Sequence, residues 1–206
     1  MKRIVLLLAV LLLALAGCRS GVAQDPILKL AAEESLAKGK ELLAKQKYAK
    51  ARPYFTHAFE IEPNSPVGRE GLLLAADTYY QEGGTTNYVQ AEAKYRDFLN
   101  RFPTSEYAAQ AQEQIALVRN NLAEHEFQVG RFYLRYGLPV AAAQRFDFLL
   151  KEYPQYPGRD RVMYNLGLAY SQSGKPEEAS KTFEQLRSEF PQSPFLAEIP
   201  EKRTQT

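Results

Sequence analysis

The chain has 206 residues, and its 26 basic and 24 acidic side chains leave a formal charge of +2. Two of the basic residues, Lys2 and Arg3, lie in a leader that we expect to be removed. The mature protein then has no net charge to attract nucleic acid, so we expect no nucleic-acid partner. The single cysteine excludes an internal disulfide, and a chain of this length can bury an adequate core without one.

Residues 1–17 have the pattern of a lipoprotein signal peptide. After the basic start, Ile4–Ala14 is an unbroken apolar run. It is too short to span a membrane, since a spanning helix needs about 20 residues, but is typical of a secretory signal. The next four residues, LAGC at 15–18, resemble the bacterial lipobox, whose cysteine is lipidated and becomes the new N-terminus. We therefore predict a covalent diacylglycerol and N-acyl lipid on Cys18, and no other cofactor.

This anchor predicts where the protein is held. Each buried CH2 of a lipid chain contributes about 0.8 kcal/mol, and one chain alone holds a protein only marginally. Bacterial lipoproteins resemble one another in carrying several chains on the cysteine. Arg19 follows the cysteine where many diderm bacteria use aspartate to retain a lipoprotein in the inner membrane. The pattern predicts a lipid anchor in the outer membrane, at its periplasmic face, with the bilayer as a partner through Cys18.

Beyond a short tether the sequence is helical in pattern. It is rich in Ala, Leu, Glu, Lys and Gln and shows no alternating strand pattern. Proline is tolerated in the first turn of a helix. Helix starts are therefore predicted at Asp25-Pro26, Ser65-Pro66, Leu138-Pro139, Tyr156-Pro157 and Lys175-Pro176.

Four segments share one signature, in which an alanine precedes an aromatic residue by four positions and the aromatic precedes a proline by eight. The sets are Ala51–Phe55–Pro63, Ala91–Tyr95–Pro103, Ala142–Phe146–Pro154 and Ala179–Phe183–Pro191. This is the pattern of the second helix of a tetratricopeptide repeat. Gly39, Gly130 and Gly167 each lie twelve residues before their alanine, as the first-helix glycine of that repeat does.

Two stretches depart from the regular repeat. QEGGTTNY at residues 81–88 is predicted to lengthen the loop inside the second repeat by about three residues. Residues 104–135 contain no proline and predict one helix of about 30 residues, or two helices at a slight kink. Thr104 or Ser105 is its expected N-cap.

The predicted fold class is all-α, a tetratricopeptide-repeat (TPR) α-solenoid of about four helix pairs with one long central helix. The predicted organisation is a signal peptide at 1–17, a lipidated tether at 18–25, an N-terminal TPR half at 26–103, the long helix with a C-terminal TPR half at 104–197, and a flexible tail at 198–206. His57 and His125 have no metal-ligand spacing, and no phosphate-binding or nucleophile motif occurs. We therefore expect that the protein is not an enzyme.

Function is therefore expected on the surfaces of the solenoid, where TPR arrays bind peptides or partner domains in the groove lined by their first helices. Arg131 and Arg135 share a helix face, and like charges at that spacing cost a little in the free protein. This favours an acidic partner; the alternative is a solvated pair neutralised by Glu124 or Glu126. Groove offsets also predict Leu43, Leu73, Asp77, Tyr80 and Tyr164.

Residues 122–154, LAEHEFQVGRFYLRYGLPVAAAQRFDFLLKEYP, resemble the central block of the BamD (ComL, YfiO) family, the TPR lipoproteins of the outer-membrane β-barrel assembly machinery. RFPTSEYAAQAQ at residues 101–112 and the lipobox support the likeness. The resemblance implies a scaffold that binds the periplasmic domain of BamA through its C-terminal repeats. It also implies that the N-terminal repeats receive unfolded outer membrane β-barrel proteins.

Carried onto this sequence, the resemblance implies a BamA side and a substrate side. The BamA side comprises Arg131, Arg135, Arg145, Lys151, Tyr153 and Tyr164, and the substrate side comprises Leu43, Leu73, Asp77 and Tyr80. The family usually has five repeats, whereas four are found here, so one is expected to be missing from the N-terminal half. The alternative is a periplasmic TPR lipoprotein that coordinates peptidoglycan synthesis, Tol–Pal function or pilus assembly.

Overall fold

The computed structural model describes residues 25–200, and in that range all regular structure is helical. The α-helices are α1 (Ala32–Ala44), α2 (Tyr48–Ile61), α3 (Pro66–Glu82), α4 (Thr85–Arg101), α5 (Ala108–Arg135), α6 (Pro139–Glu152), α7 (Arg159–Gln172) and α8 (Pro176–Glu189). Short 3-10 helices precede and follow them, at Pro26–Lys29 and Pro194–Glu198. The predicted signal peptide, the predicted lipidation site Cys18 and residues 201–206 lie outside the described residues. Within 25–200, every helix is too short or too polar to cross a membrane.

The helices pack in four consecutive pairs, α1 with α2, α3 with α4, α5 with α6 and α7 with α8. Each second helix also packs against the first helix of the next pair, and α1 touches α3 as α5 touches α7. Each pair therefore contacts only its neighbours in sequence, which defines a solenoid. The predicted all-α solenoid with four helix pairs is confirmed.

The glycine and the aromatic residue of each repeat meet across the pair. A Cβ atom added to the first-helix glycine would lie 2.4–2.5 Å from the ring of the second-helix aromatic, in the pairs Gly39–Phe55, Gly130–Phe146 and Gly167–Phe183. These rings are buried. Only a glycine leaves room for a ring directly against the backbone of the first helix, so the spacing found in the sequence is a packing register.

The second repeat has longer helices than the first and the fourth repeats. Both α3 and α4 contain 17 residues, and only Gly83 and Gly84 separate them. Both glycines have positive φ, 75° and 84°, a conformation that glycine adopts without steric cost. The predicted lengthening of the loop is therefore wrong, because the polar residues on either side of the two glycines continue the helices.

The long central helix is a single unbroken helix of 28 residues, α5. Its N-cap is Tyr107, not Thr104 or Ser105, because residues 103–107 form turns before it. The first half of α5 contributes Ala111 and Val118 to a core shared with α3 and α4. The second half contributes Ala123 and Phe127 to a core shared with α6 and α7. One helix thus joins the second repeat to the third.

Two other predicted helix starts need correction. Asp25 caps only the four-residue 3-10 helix Pro26–Lys29, and the first α-helix begins at Ala32. Tyr156-Pro157 does not begin α7, which starts at Arg159 after an N-cap at Gly158. Tyr156 instead lies buried in the core of the third and fourth repeats.

Candidate functional site

Arg131 and Arg135 lie in the last two turns of α5, and both side chains are exposed. Neither forms an ion pair with another described residue. The two carboxylates expected to neutralise them bind elsewhere, since Glu126 pairs with Arg145 at 3.2 Å and Glu124 pairs with an arginine of α7. The end of α5 therefore presents two positive charges on one face.

The arginine that pairs with Glu124 is Arg161, and this ion pair links α5 to α7. Its guanidinium lies 4.4 Å from the centre of the Phe127 ring, and it donates to Glu124 and to the hydroxyl of Tyr156. Burial and the hydrogen bond to Glu124 raise the pKa of Tyr156 to about 12. Burial opposes ionisation of Glu124, but hydrogen bonds from Tyr156 and Gln128 and the charge of Arg161 together hold its pKa below the usual value. This network fixes the two first helices of the C-terminal half side by side.

Four large apolar side chains beside the arginines are exposed. Phe132 is 47% exposed, Tyr136 65%, Leu138 51% and Val140 55%. The rings of Phe132 and Tyr136 have centroids 4.4 Å apart, and the other two residues lie in the turn to α6 and in its first turn. We call these four residues the apolar corner. The periodicity of α5 and α6 shows which residues face the core. FYLRYGLPV, residues 132–140, contains more apolar residues than a core face needs. That excess is the sequence signal from which the exposed apolar group could have been predicted.

The remaining residues implied for the BamA side do not form one surface. Arg145 is held by Glu126, and Tyr153 is half-buried with the guanidinium of Arg119 5.0 Å from its ring centre. Lys151 is exposed. It lies six positions after Arg145, which is about 120° around the helix, so the two side chains leave α6 on different flanks.

Tyr164, on α7, is covered by the C-terminal 3-10 helix. The ring of Phe195 stacks on it with centroids 5.4 Å apart and an interplanar angle of 21°. The Tyr164 hydroxyl donates to the backbone carbonyl of Glu198 at 3.3 Å. A partner that uses Tyr164 must therefore displace this segment or bind over it.

The substrate-side residues divide into two that are partly exposed and two that are not. Leu43 and Tyr80 are half-buried. Leu73 is 1% and Asp77 8% exposed, so the expectation that they face an open groove is corrected. They are buried because the middle helix α3 packs against α2 and α4 and shares a core with α5. Asp77 accepts a hydrogen bond from the buried hydroxyl of Tyr95, and burial raises its pKa.

Among residues 25–200, no cluster of three or more His, Cys, Asp or Glu side chains could hold a metal ion. His57 is buried, and its Nε2 lies 3.3 Å from the backbone carbonyl of Leu30, where it holds the segment before α1 against α2. His125 is exposed on α5.

Two stretches of the chain, residues 36–65 and residues 84–182, match models of known protein families. A family model described as YfiO, outer membrane lipoprotein, matches residues 84–182, and a tetratricopeptide repeat model matches residues 36–65. The outer membrane protein assembly factor BamD of Xylella fastidiosa is 41% identical over 80 residues, which cover 39% of this chain and 27% of the relative. BamD of Caulobacter vibrioides is 31% identical over 111 residues, 52% of this chain and 36% of the relative.

A longer match is to BamD of Rickettsia prowazekii, which is 27% identical over 135 residues, 63% of this chain and 54% of the relative. Across these three relatives the matched part of this chain spans from about a quarter to about half of their length. The block at residues 122–154 lies inside the match to the YfiO model. The chain is therefore a tetratricopeptide-repeat protein similar to the BamD family of outer membrane assembly lipoproteins, as its sequence predicted.

Proposed function

We propose that this protein is a lipid-anchored scaffold of the β-barrel assembly machinery at the periplasmic face of the outer membrane. The observation that carries the proposal is the match of residues 84–182 to the YfiO outer membrane lipoprotein model, together with relatives named as outer membrane protein assembly factor BamD. The lipobox supports the anchor, with Cys18 as the lipidated residue. A scaffold works by holding partners, which suits a solenoid that exposes Arg131, Phe132 and Tyr136 on its surface.

In this proposal the C-terminal half binds the periplasmic domain of BamA. Its exposed positive side chains that have no ion-pair partner among the described residues include Arg131, Arg135 and Lys151, so acidic groups on BamA would complement them. The N-terminal half receives unfolded outer membrane β-barrel proteins. In this proposal the unfolded proteins contact Leu43 and Tyr80, which are the partly exposed members of the predicted substrate side.

Co-purification from detergent-solubilised envelopes of the source organism tests the function. The tagged full-length chain should recover BamA, and its depletion should lower the amount of folded barrel proteins in the outer membrane. Recovery of Tol–Pal, peptidoglycan-synthesis or pilus components without BamA would replace the proposal with the alternative reading. The same preparation without a tag controls for nonspecific recovery.

A charge reversal then tests the location of the BamA surface. Lys151→Glu on α6 should weaken binding to the purified BamA periplasmic domain by about two- to fivefold, as expected for an exposed interface charge. Lys94→Glu on α4, in the N-terminal half, is the matched control, because Lys94 is also exposed and unpaired within the described chain. Arg145 is less suitable, because its reversal would place two carboxylates together at Glu126. Equal binding by both lysine variants would move the BamA surface elsewhere.

A further inference from the structure

We propose that the apolar corner, together with Arg131 and Arg135, is a docking surface for a protein segment that carries carboxylates among apolar side chains. The inference shares Arg131 and Arg135 with the BamA surface proposed above. It goes further by adding the apolar corner and by stating the chemistry of the bound segment, whichever protein carries it. It rests on exposure, charge and composition at one place in the fold, the end of α5 and the start of α6.

The exposure of apolar side chains is concentrated at this place. Of the nine large hydrophobic residues that are exposed in the described range, four lie between residues 132 and 140. Single exposed apolar residues are ordinary, whereas a group of them marks an interaction surface. The turn that joins the two helices is held by hydrogen bonds from the backbone N–H of Leu138 to Tyr133 O (2.9 Å) and of Gly137 to Leu134 O (3.2 Å). These hydrogen bonds fix the backbone of the turn that carries part of the apolar corner.

The charges beside the corner lack the partners that other arginines have. Most arginines in residues 25–200 form an ion pair with a carboxylate; the exceptions are Arg131, Arg135 and Arg187. Arg131 and Arg135 lie one turn apart, where like charges disfavour the free helix. Carboxylates on a partner would remove that repulsion, which gives the surface a preference for acidic segments.

The composition favours a protein as the occupant. Arginine, phenylalanine and tyrosine are enriched at protein interfaces, and lysine is depleted there. Arginine and tyrosine are also among the residues that dominate the binding energy. Residues 131–140 contain two arginines, two tyrosines, a phenylalanine and no lysine. An anionic lipid surface is bound by one amphipathic helix that has an apolar face along its length, whereas the apolar corner is formed by the end of α5, a turn and the first turn of α6. A second copy of this chain that met the same corner symmetrically would bring two further arginines against the first two, which disfavours self-association.

The first experiment identifies what touches the corner in the cell. A photo-crosslinking amino acid replaces Val140 in the full-length chain, and the control carries it at Val89 on α4; these side chains are 55% and 51% exposed. We expect Val140 to crosslink to a protein segment that contains both acidic and apolar residues, mapped by mass spectrometry, and Val89 to give no such product. Crosslinking to lipid, to a second copy or to a segment without acidic residues would overturn the inference, as would no product above that from Val89.

The second experiment measures the contribution of each part of the surface. A synthetic peptide of the mapped segment is titrated against the folded protein and against Phe132→Ser and Arg135→Glu, each of which should weaken binding at least about tenfold. Phe148→Ser is the matched control for the aromatic residue, since Phe132 and Phe148 are both 47% exposed. Arg187→Glu is the control for the charge, because Arg187 is also exposed and unpaired in the described chain.

Both controls should bind the peptide like the unchanged protein, and helicity and urea midpoints should be the same for all four variants. Equal weakening in the controls would show a nonspecific charge or folding effect and refute the docking surface. The result is separate from the proposed function. A protein that recovers BamA from envelopes but whose corner variants bind the mapped peptide normally keeps the function and loses this inference.

Discussion

Replacing Gly130 with alanine tests whether the glycine–aromatic register holds each helix pair together. The new Cβ atom would lie 2.4 Å from Cε1 of Phe146 and 2.8 Å from both Cδ1 and Cζ. These distances are far inside van der Waals contact. The Phe146 ring has 0% exposure and lies 6.0 Å from the ring of Phe127, so it cannot turn into solvent to relieve the contact.

Two opposing effects set the size of the result. Alanine is more favourable than glycine inside a helix by about 1 kcal/mol. Overpacking of a filled core usually costs about 1–3 kcal/mol, and three ring atoms within 3 Å of the new Cβ place Gly130→Ala at the upper end. We therefore expect a net destabilisation of about 1–2 kcal/mol. For a chain of this size that corresponds to a fall in Tm of roughly 2–8 °C.

Urea unfolding followed by circular dichroism measures the change. Ala116→Gly supplies the propensity term in the same helix, because Ala116 is exposed on α5; it should cost about 1 kcal/mol. Phe146→Leu makes room for the new methyl group of Gly130→Ala. The loss of unfolding free energy caused by Phe146→Leu should therefore be about 1 kcal/mol smaller in the Gly130→Ala variant than in the unchanged protein. Stabilisation by Gly130→Ala, or strict additivity of the two changes, would refute the packing argument.

Three further predictions concern the buried carboxylate, the link between the repeats and the anchor. Asp77→Asn should raise the free energy of unfolding at pH 7, because burial raises the pKa of Asp77 and disfavours its ionised form in the folded state. In urea titrations the gain in stability of the variant over the unchanged protein should shrink as the pH falls toward about 4. A gain that does not change with pH would contradict this prediction. Arg119→Met should lower the free energy of unfolding by about 1–2 kcal/mol in the same assay, because Arg119 binds Glu92 at 2.9 Å between α4 and α5. Arg96→Met removes an exposed i,i+4 partner of Glu92 and should cost less than about 0.5 kcal/mol. Equal costs would argue against a stabilising link between α4 and α5 through Arg119. Cys18→Ser should leave the protein in the soluble fraction of lysed cells, and continued fractionation with membranes would exclude lipidation of Cys18 as the anchor.

The repeat architecture could be predicted because it depends on side-chain size at fixed positions. Gly130 and Phe146 meet in space for the same reason that they recur sixteen positions apart in sequence, since a short turn joins their helices. The single long helix α5 was also predictable, because residues 104–135 contain no proline. The loop of the second repeat was not, because the polar residues beside Gly83 and Gly84 are compatible with both helix and loop.

The candidate site was predictable only where one helix decides the geometry. Arg131 and Arg135 share a face because they are four residues apart, and no tertiary contact is needed to know it. Whether Glu124 or Glu126 would neutralise them depended on other helices. Competing arginines reach those carboxylates from α6 and α7, through pairs 19 and 37 residues apart in sequence, and no local pattern reveals such pairs.

By itself the sequence determined the helices, their pairing and the resemblance to BamD, because helix periodicity, chain breakers and a repeated register act over short distances. Only the tertiary structure decided which side chains remain available to a partner. Leu73 and Asp77 are buried because α3 lies in the middle of the array, and Tyr164 is covered by Phe195 from a later segment. The apolar corner stays open because the helices around it pack on the other faces of α5 and α6. Exposure is a property of the assembled array, since each helix loses surface to neighbours that its own residues do not specify.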